Sequence, residues 1–319
     1  MKQPIHLRRI VTITKDWLRS VGLVGWCGVA VLLLCLVFNS WLRYGVFVMF
    51  YSGRAPNCSF AGTSLALRRT FVQSTAEQRI LAKSRVLSRE NGYMHIDTPQ
   101  GTFWEPDNPK GSEVIAQLAE IEGKYSSLAR PPARAGDVVL DCGANVGIFT
   151  REAILRGARL VVAIEPVPNN LECLRRNLQP YIASKRVIVV PKGVWDKEDF
   201  LIIQESDSSS AEDSFVRTKD THPGAALPLT TIDKIVDELS LDRVDFIKMD
   251  IEGSEVKALR GAQHTLARFR PWLEVEASGN ESAILNTARM AWPYQFGCLT
   301  CTANVVKKTV TTNLISLRP

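Results

Sequence analysis

Between Gly136 and Ala277 the chain alternates two hydrophobic patterns. Short, mostly apolar runs occupy residues 138–140, 160–164, 187–190, 246–249 and 272–275. Between them lie longer segments, 148–156, 169–178, 232–239 and 254–269, with apolar positions at helical spacing. The first pattern predicts strands and the second amphipathic helices. Runs without apolar/polar alternation fit strands buried on both faces, and their alternation with helices predicts a parallel sheet wrapped on both sides. The Thr- and Val-rich tail from Cys298 to Leu317 is expected to add antiparallel strands. The predicted architecture is an α/β domain over residues 93–319 with its core at 136–277.

Upstream the patterns change. Residues 20–42 contain no charged side chain and are apolar on every face. At about 1.5 Å per residue such a helix crosses a ~30 Å hydrocarbon core, with Trp26 and Trp41 as interfacial anchors. A second apolar run, 44–51, is too short to cross alone. Residues 20–53 are therefore expected to be a membrane-associated segment, either a single span or a re-entrant hairpin, behind a basic segment at 1–19. Residues 54–92 are polar and basic and read as a linker carrying a surface helix at 75–89. Gly92, Pro99, Pro106 and Pro109 mark loops. Residues 112–123 read as a helix capped by Ser112, with Val114, Ile115, Leu118 and Ile121 on one stripe.

Composition refines this picture in two places. The formal net charge is +6, much of it from arginines in the first 90 residues. With no aromatic platform interleaved, this basic region fits an anionic membrane surface rather than nucleic acid. Lys2, Arg8, Arg9, Lys15 and Arg19 before the apolar run favour a cytoplasmic N-terminus. A single span would then carry the rest of the chain across, whereas a hairpin would keep it cytoplasmic. The seven cysteines are odd in number and scattered, which reads as a reduced set in a reducing compartment.

Chemistry is expected at the carboxyl ends of the strands. The first strand runs into Asp141-Cys142-Gly143-Ala144-Asn145-Val146-Gly147. Gly143 and Gly147 allow turns and a close backbone approach, and Asp141 offers an acceptor at the strand tip. A dinucleotide fingerprint needs G-x-G-x-x-G. Asn145 and Ile148 stand where the second and third glycines belong, so the loop suits a cofactor without a pyrophosphate. Glu165 lies 22 positions beyond Gly143 at the end of the next strand. There a carboxylate binds the ribose hydroxyls of an adenosine moiety, or else acts as an ordinary cap. Asn169 and Asn170 read as helix caps. The third strand leads to Gly193 and Trp195, beside the adenine or packed in the core. The fourth and fifth strands bring Asp250, Glu252 and Glu276 to the same edge. No His, Cys or carboxylate cluster has metal-ligand spacing, so no metal is expected. Residues 204–228 form a long insert expected to shape an acceptor pocket.

Val139–Gly147, Glu165-Pro166, Thr231-Ile232-Asp233, Phe246–Glu255, Leu259–Ala262 and the segment from Pro271 to Glu276 resemble the FkbM methyltransferases. The K-x-D-x-E-G-x-E stretch from Lys248 to Glu255 is the most specific part. The resemblance implies a class I, Rossmann-like methyltransferase fold and S-adenosylmethionine as cofactor. It also implies O-methylation of a hydroxyl on a sugar, glycolipid or secondary metabolite. Asp141, Gly143, Asn145, Gly147, Glu165 and Gly193 are then the expected cofactor residues. Asp250, followed by Glu252 and Glu276, are the expected bases. The expected partners are the lipid bilayer and a small-molecule or glycan acceptor, with the catalytic domain on the cytoplasmic side. The competing readings are a nicotinamide-dependent Rossmann enzyme and a non-catalytic membrane-bound scaffold.

Overall fold

A computed structural model describes residues 57–125, 133–202, 226–277, 279–304, 307 and 309–319, together with 25, 28 and 30. Most of the expected membrane segment and most of the 204–228 insert lie outside the described residues. Among the described residues no helix is long and apolar enough to cross a membrane.

From Ser52 onward the chain forms one compact unit. Its centre is a seven-stranded sheet built from β4 (Val138–Cys142), β5 (Leu160–Ile164), β6 (Val187–Val190), β10 (Phe246–Met249), β11 (Trp272–Glu276), β12 (Gln295–Asn304) and β13 (Thr309–Arg318). The order is β12-β13-β11-β10-β4-β5-β6, and β7 (Gly193–Val194), β8 (Asp199–Ile202) and β9 (Ala226–Thr230) form a separate three-stranded sheet. The five strands from β11 to β6 are parallel, whereas β13 and β12 are antiparallel, as the tail pattern predicts. The chain runs outward from β4 to β6 and then returns to the other side of β4. This makes the β4/β10 boundary the topological switch point, where a ligand cleft opens.

Alternate residues of each strand feed two apolar layers. Val138, Leu140, Ile247, Met249, Leu273 and Val275 pack with helices α5 (Ile232–Glu238), α6 (Glu255–Arg260), α7 (Gln263–Phe269) and α8 (Glu281–Arg289). Val139, Val161, Ala163 and Phe246 pack on the opposite face with α3 (Ile148–Leu155) and α4 (Pro168–Ala183). That second face carries a feature the apolar runs concealed. Asp141, Lys248 and Glu274 lie side by side across β4, β10 and β11 as a buried row of alternating charge.

The expected helix at 254–269 is interrupted. A Cβ at Gly261 would meet the Trp195 carbonyl at 2.1 Å and Thr231 at 3.1 Å. The chain bends at this close contact and forms two helices instead of one.

The region expected as a linker is instead structured. Helix α1 spans Phe60–Leu81, capped by Ser59 accepting from the Gly62 amide. The 75–89 helix is corrected accordingly, because residues 85–90 form β1 (Arg85–Glu90). This strand pairs with β2 (Tyr93–Thr98), which pairs with β3 (Gly101–Pro106). Asn91 and Gly92 both have positive φ (51° and 80°), the combination a type I′ hairpin turn demands. Helix α2 (Glu113–Tyr125) follows the predicted stripe, and the Ser112 hydroxyl accepts from the Ile115 amide.

Cysteine usage is a second correction. Cys58 and Cys298 form a disulfide, with Cα atoms 6.1 Å apart. Scattered spacing hid this pair because the partners lie 240 positions apart and meet only once β12 is in place. Cys142, Cys173 and Cys301 are free and buried.

Candidate active site

Three loops at the carboxyl ends of β4, β5 and β10 converge at the switch point. Gly143 has φ +77°, and a Cβ there would sit 1.9 Å from the Asp250 carbonyl. Only glycine lets these two loops touch. Asn145 also adopts a left-handed conformation (φ 49°), which asparagine tolerates better than most residues. Its backbone amide donates to Glu165 Oε2 at 2.9 Å. Glu165 Oε1 accepts from the Val167 amide at 2.9 Å and from Asn170 Nδ2. Burial pushes the Glu165 carboxyl up from its ordinary value, and these hydrogen bonds oppose the shift.

These residues line a cleft of about 1130 Å³, open at its mouth. Gly143, Asn145, Ile164, Glu165, Asn170 and Gly193 line one half. The buried Oδ1 atoms of Asn145 and Asn170 have no hydrogen-bond partner. Unsatisfied acceptors in a cleft are what an incoming ligand with donors would complete.

Lys248 joins this half to the other. Its ammonium donates to the Gly143 carbonyl at 3.0 Å and pairs with Asp141 Oδ1 at 3.6 Å and Asp250 Oδ2 at 3.5 Å. Burial alone would lower the Lys248 pKa, but Asp250 and Asp141 outweigh it and hold the ammonium charged. Burial would raise Asp250, yet the Lys248 charge and a hydrogen bond with Glu276 bring it below its ordinary value. Glu276 moves the other way. Burial and the Asp250 charge push it up to about 9, so it keeps its proton at neutral pH. Of the expected bases, Asp250, placed first, is thus held ionised, whereas Glu276, placed after it, holds its proton.

The expected site residues fall into two groups. Gly143, Asn145, Glu165, Gly193, Asp250 and Glu252 line the cleft. Asp141 is fully buried behind it and accepts from Thr150 Oγ1 at 2.6 Å. Gly147 is the N-cap of α3, with φ +90°, and packs against Leu178. Glu276 stands beside Asp250 rather than on the cleft lining. The expected caps are corrected too: Val167 is the N-cap of α4, Asn170 binds Glu165, and Asn169 accepts from the Tyr93 hydroxyl. Trp195 lines the cleft with Lys257 4.3 Å from its ring centroid. Folding also brings one carboxylate oxygen each of Asp250, Glu252 and Glu276 within 4.8 Å of one another, close enough to share a cation. Lys248 and the proton on Glu276 compete for that role.

Residues 141–294 match the model of the methyltransferase FkbM domain, and the K-x-D-x-E-G-x-E stretch lies inside the match. Residues 141–294 form an FkbM-type methyltransferase domain. A curated relative, the AMB antimetabolite synthetase AmbE of Pseudomonas aeruginosa, is 26% identical over 235 residues. Those residues are 61% of this chain and 11% of AmbE, so the chain spans only about a tenth of that relative. Among solved structures, the methyltransferase FkbM of Methylobacillus flagellatus KT covers 78% of this chain and 59% of its own. It has 20% identity and a TM-score of 0.44. Fibrillarin of Aeropyrum pernix, solved with natively bound S-adenosyl-L-methionine, covers 73% and 99%, with 14% identity and a TM-score of 0.38.

The cleft and its surroundings also contain residues that sequence reasoning passed over. Lys248 was visible only as part of a motif, because its partner Asp141 comes from the neighbouring strand β4. Glu255 is buried and accepts from the Ile251 and Gly253 amides at 3.2 Å each, which shapes the Asp250 loop. Lys192, Gln73, Glu113, Gln117 and Glu120 complete the cleft. The last four lie upstream of the FkbM match, on α1 and α2. Their one legible signal is the polar stripe of α2 opposite its apolar one.

Proposed function

We propose that the FkbM domain binds S-adenosylmethionine and transfers its methyl group to a hydroxyl of a sugar, glycolipid or secondary metabolite. The observation carrying this reading is the shelf of Gly143, Asn145, Glu165 and Gly193, which faces an ionised Asp250 across one cleft. In this reading Glu165 holds the ribose hydroxyls, Gly143 and Gly193 let the backbone lie against the ligand, and Asn145 and Asn170 gain donors. The sulfonium supplies an electrophilic methyl carbon when bound. Asp250 is one-third exposed at its side chain, so an acceptor hydroxyl can reach it. It orients that hydroxyl and takes its proton, while Lys248 keeps it ionised and Glu276 fixes its rotamer by hydrogen bonding. Holding the oxygen in line with the methyl carbon supplies much of the rate.

Calorimetric titration of the full-length chain with S-adenosylmethionine and with NAD tests the reading. Saturable binding of the first alone is expected. Binding of NAD alone would favour the nicotinamide reading, and binding of neither the scaffold.

The disulfide bears on where this happens. Disulfides persist in oxidising compartments, so the Cys58–Cys298 bond opposes the expected cytoplasmic placement. We propose that the domain from Ser52 onward lies on the non-cytoplasmic side of a membrane. Protection of the domain from protease added to sealed microsomes is expected, and its digestion there would reject this orientation.

A further inference from the structure

We propose that Lys124 and Tyr125, the last two residues of α2, are positioning residues for Asp250: they saturate Glu274 and so leave the Lys248 ammonium to Asp250. The inference rests on the methyl-transfer reading above. Both residues lie upstream of the 141–294 match, so that match does not dictate their role.

The buried charge row sets the problem. Lys248 on β10 is paired in register with Asp141 of β4 on one side and with Glu274 of β11 on the other. Residues paired in this way project from the same face of a sheet, and all three are buried. Two flanking carboxylates therefore compete for one ammonium. The outcome is uneven. Lys248 Nζ stands 3.6 Å from Asp141 Oδ1 and 3.5 Å from Asp250 Oδ2, and it donates to the Gly143 carbonyl at 3.0 Å. Among the described residues it makes no ion pair with Glu274.

Glu274 does not draw Lys248 because both of its oxygens are taken. Lys124 Nζ donates to Oε1 at 2.7 Å. The Tyr125 hydroxyl lies 2.8 Å from Oε1 and 2.9 Å from Oε2. Both donors hold their protons. Burial would lower the Lys124 pKa, but Glu120 and Glu274 outweigh it and raise it above its ordinary value. Burial and the Glu274 charge push the Tyr125 hydroxyl well up, so it donates and does not ionise. The side chains of Lys124 and Glu274 are only 4% and 2% exposed, so water does not replace a lost partner.

A buried carboxylate deprived of its cation is costly and recruits another charge where one is in reach. For Glu274 that charge is Lys248, its partner on the adjoining strand. Capture of Lys248 by Glu274 would take from Asp250 the charge that holds it ionised, and from the Gly143 carbonyl its donor. Lys124 thus acts on Asp250 through Glu274 and Lys248, without touching the cleft chemistry itself.

The test uses the full-length chain. Crystal structures read the ion-pair partition directly. In Lys124→Met, Lys248 Nζ is expected within about 3.2 Å of a Glu274 oxygen and beyond about 4 Å from Asp250. In Lys124→Met combined with Glu274→Gln it should stay on Asp250, because the competing charge is gone. Methyl-tritiated S-adenosylmethionine and a total glycan and small-molecule extract of the producing cells, used as acceptor probe, read the consequence. Lys124→Met should lower kcat about 10²-fold. Cofactor Kd in calorimetry and apparent KM for the extract should stay within about two-fold of wild type, the split expected when only the transition state loses support. The double variant should recover at least about ten-fold of that loss. Tyr125→Phe keeps the ring beside Phe149 and removes one donor, so kcat should fall about five-fold, the worth of one hydrogen bond. Lys248 unmoved in the Lys124→Met structure overturns the proposal, as does a double variant no faster than Lys124→Met. A loss of cofactor affinity equal to the loss of kcat overturns it too, since that marks a plain structural anchor. Should Lys124→Met fail to fold, Tyr125→Phe decides, and unchanged kcat with Lys248 in place overturns the proposal. No label from a wild-type chain, or no cofactor binding, overturns the methyl-transfer reading instead, and the crystal structures read the partition independently of it.

Discussion

Asp250 and Glu276 are adjacent carboxyls with opposite assignments, and the difference comes from one neighbour. Lys248 stands 3.5 Å from Asp250, while Glu276 faces the Asp250 charge within a partly buried site. Replacing Asp250 with Asn should cut kcat by about 10²–10⁴-fold, the range for loss of a positioned base. Cofactor affinity in calorimetry should be little changed. Retained turnover would remove Asp250 from the base role. Glu276 makes a prediction about stability. A carboxyl raised in the folded state to about 9 keeps its proton there while the unfolded chain loses its own above about pH 4.5. The folded state then binds more protons, so this group's contribution falls as pH rises through that window, by at most about 1.4 kcal/mol per unit. Glu276→Gln should accordingly gain stability relative to wild type between pH 5 and pH 8 in urea melts. A constant difference would contradict the assignment.

At the scale of elements, close backbone contacts decide what the cleft becomes. The Gly143 loop touches the Asp250 loop because β4 and β10 are neighbours, and α1 touches α2 at Gly123. Gly123→Ala should overpack that crossing at a cost of about 1–3 kcal/mol. Denaturant titration checks this. Much of this level was legible. The runs at 138–140, 160–164, 187–190, 246–249 and 272–275 are strands of the sheet, because a strand buried on both faces needs apolar residues throughout. Three features were not legible. Strand β1 is exposed along its whole length, so no burial pattern marks it, and Gly92 read only as a loop. The break at Gly261 depends on Trp195, some 65 positions earlier. The charge row of Asp141, Lys248 and Glu274 looked like single polar residues in three separate apolar runs, and only strand pairing aligns them.

For the molecule as a whole, the disulfide joins the first described helix to the last sheet strands across 240 positions. Its reduction should lower stability by about 2–5 kcal/mol. Urea titrations with and without reductant check this, with the Cys58→Ser chain as control. Reductant should leave that variant unchanged.

The local sequence was enough for the parallel sheet, the glycine loop after β4, Glu165 at the next strand tip, and the carboxylates after β10 and β11. Each of these follows from short-range periodicity or from a residue type at a strand end. Tertiary structure alone decided which carboxylate is ionised, which residues line the cleft, and which cysteines are bonded. The reason is physical. A pKa, a cleft and a disulfide depend on distances between groups far apart along the chain, and only the packed sheet sets those distances.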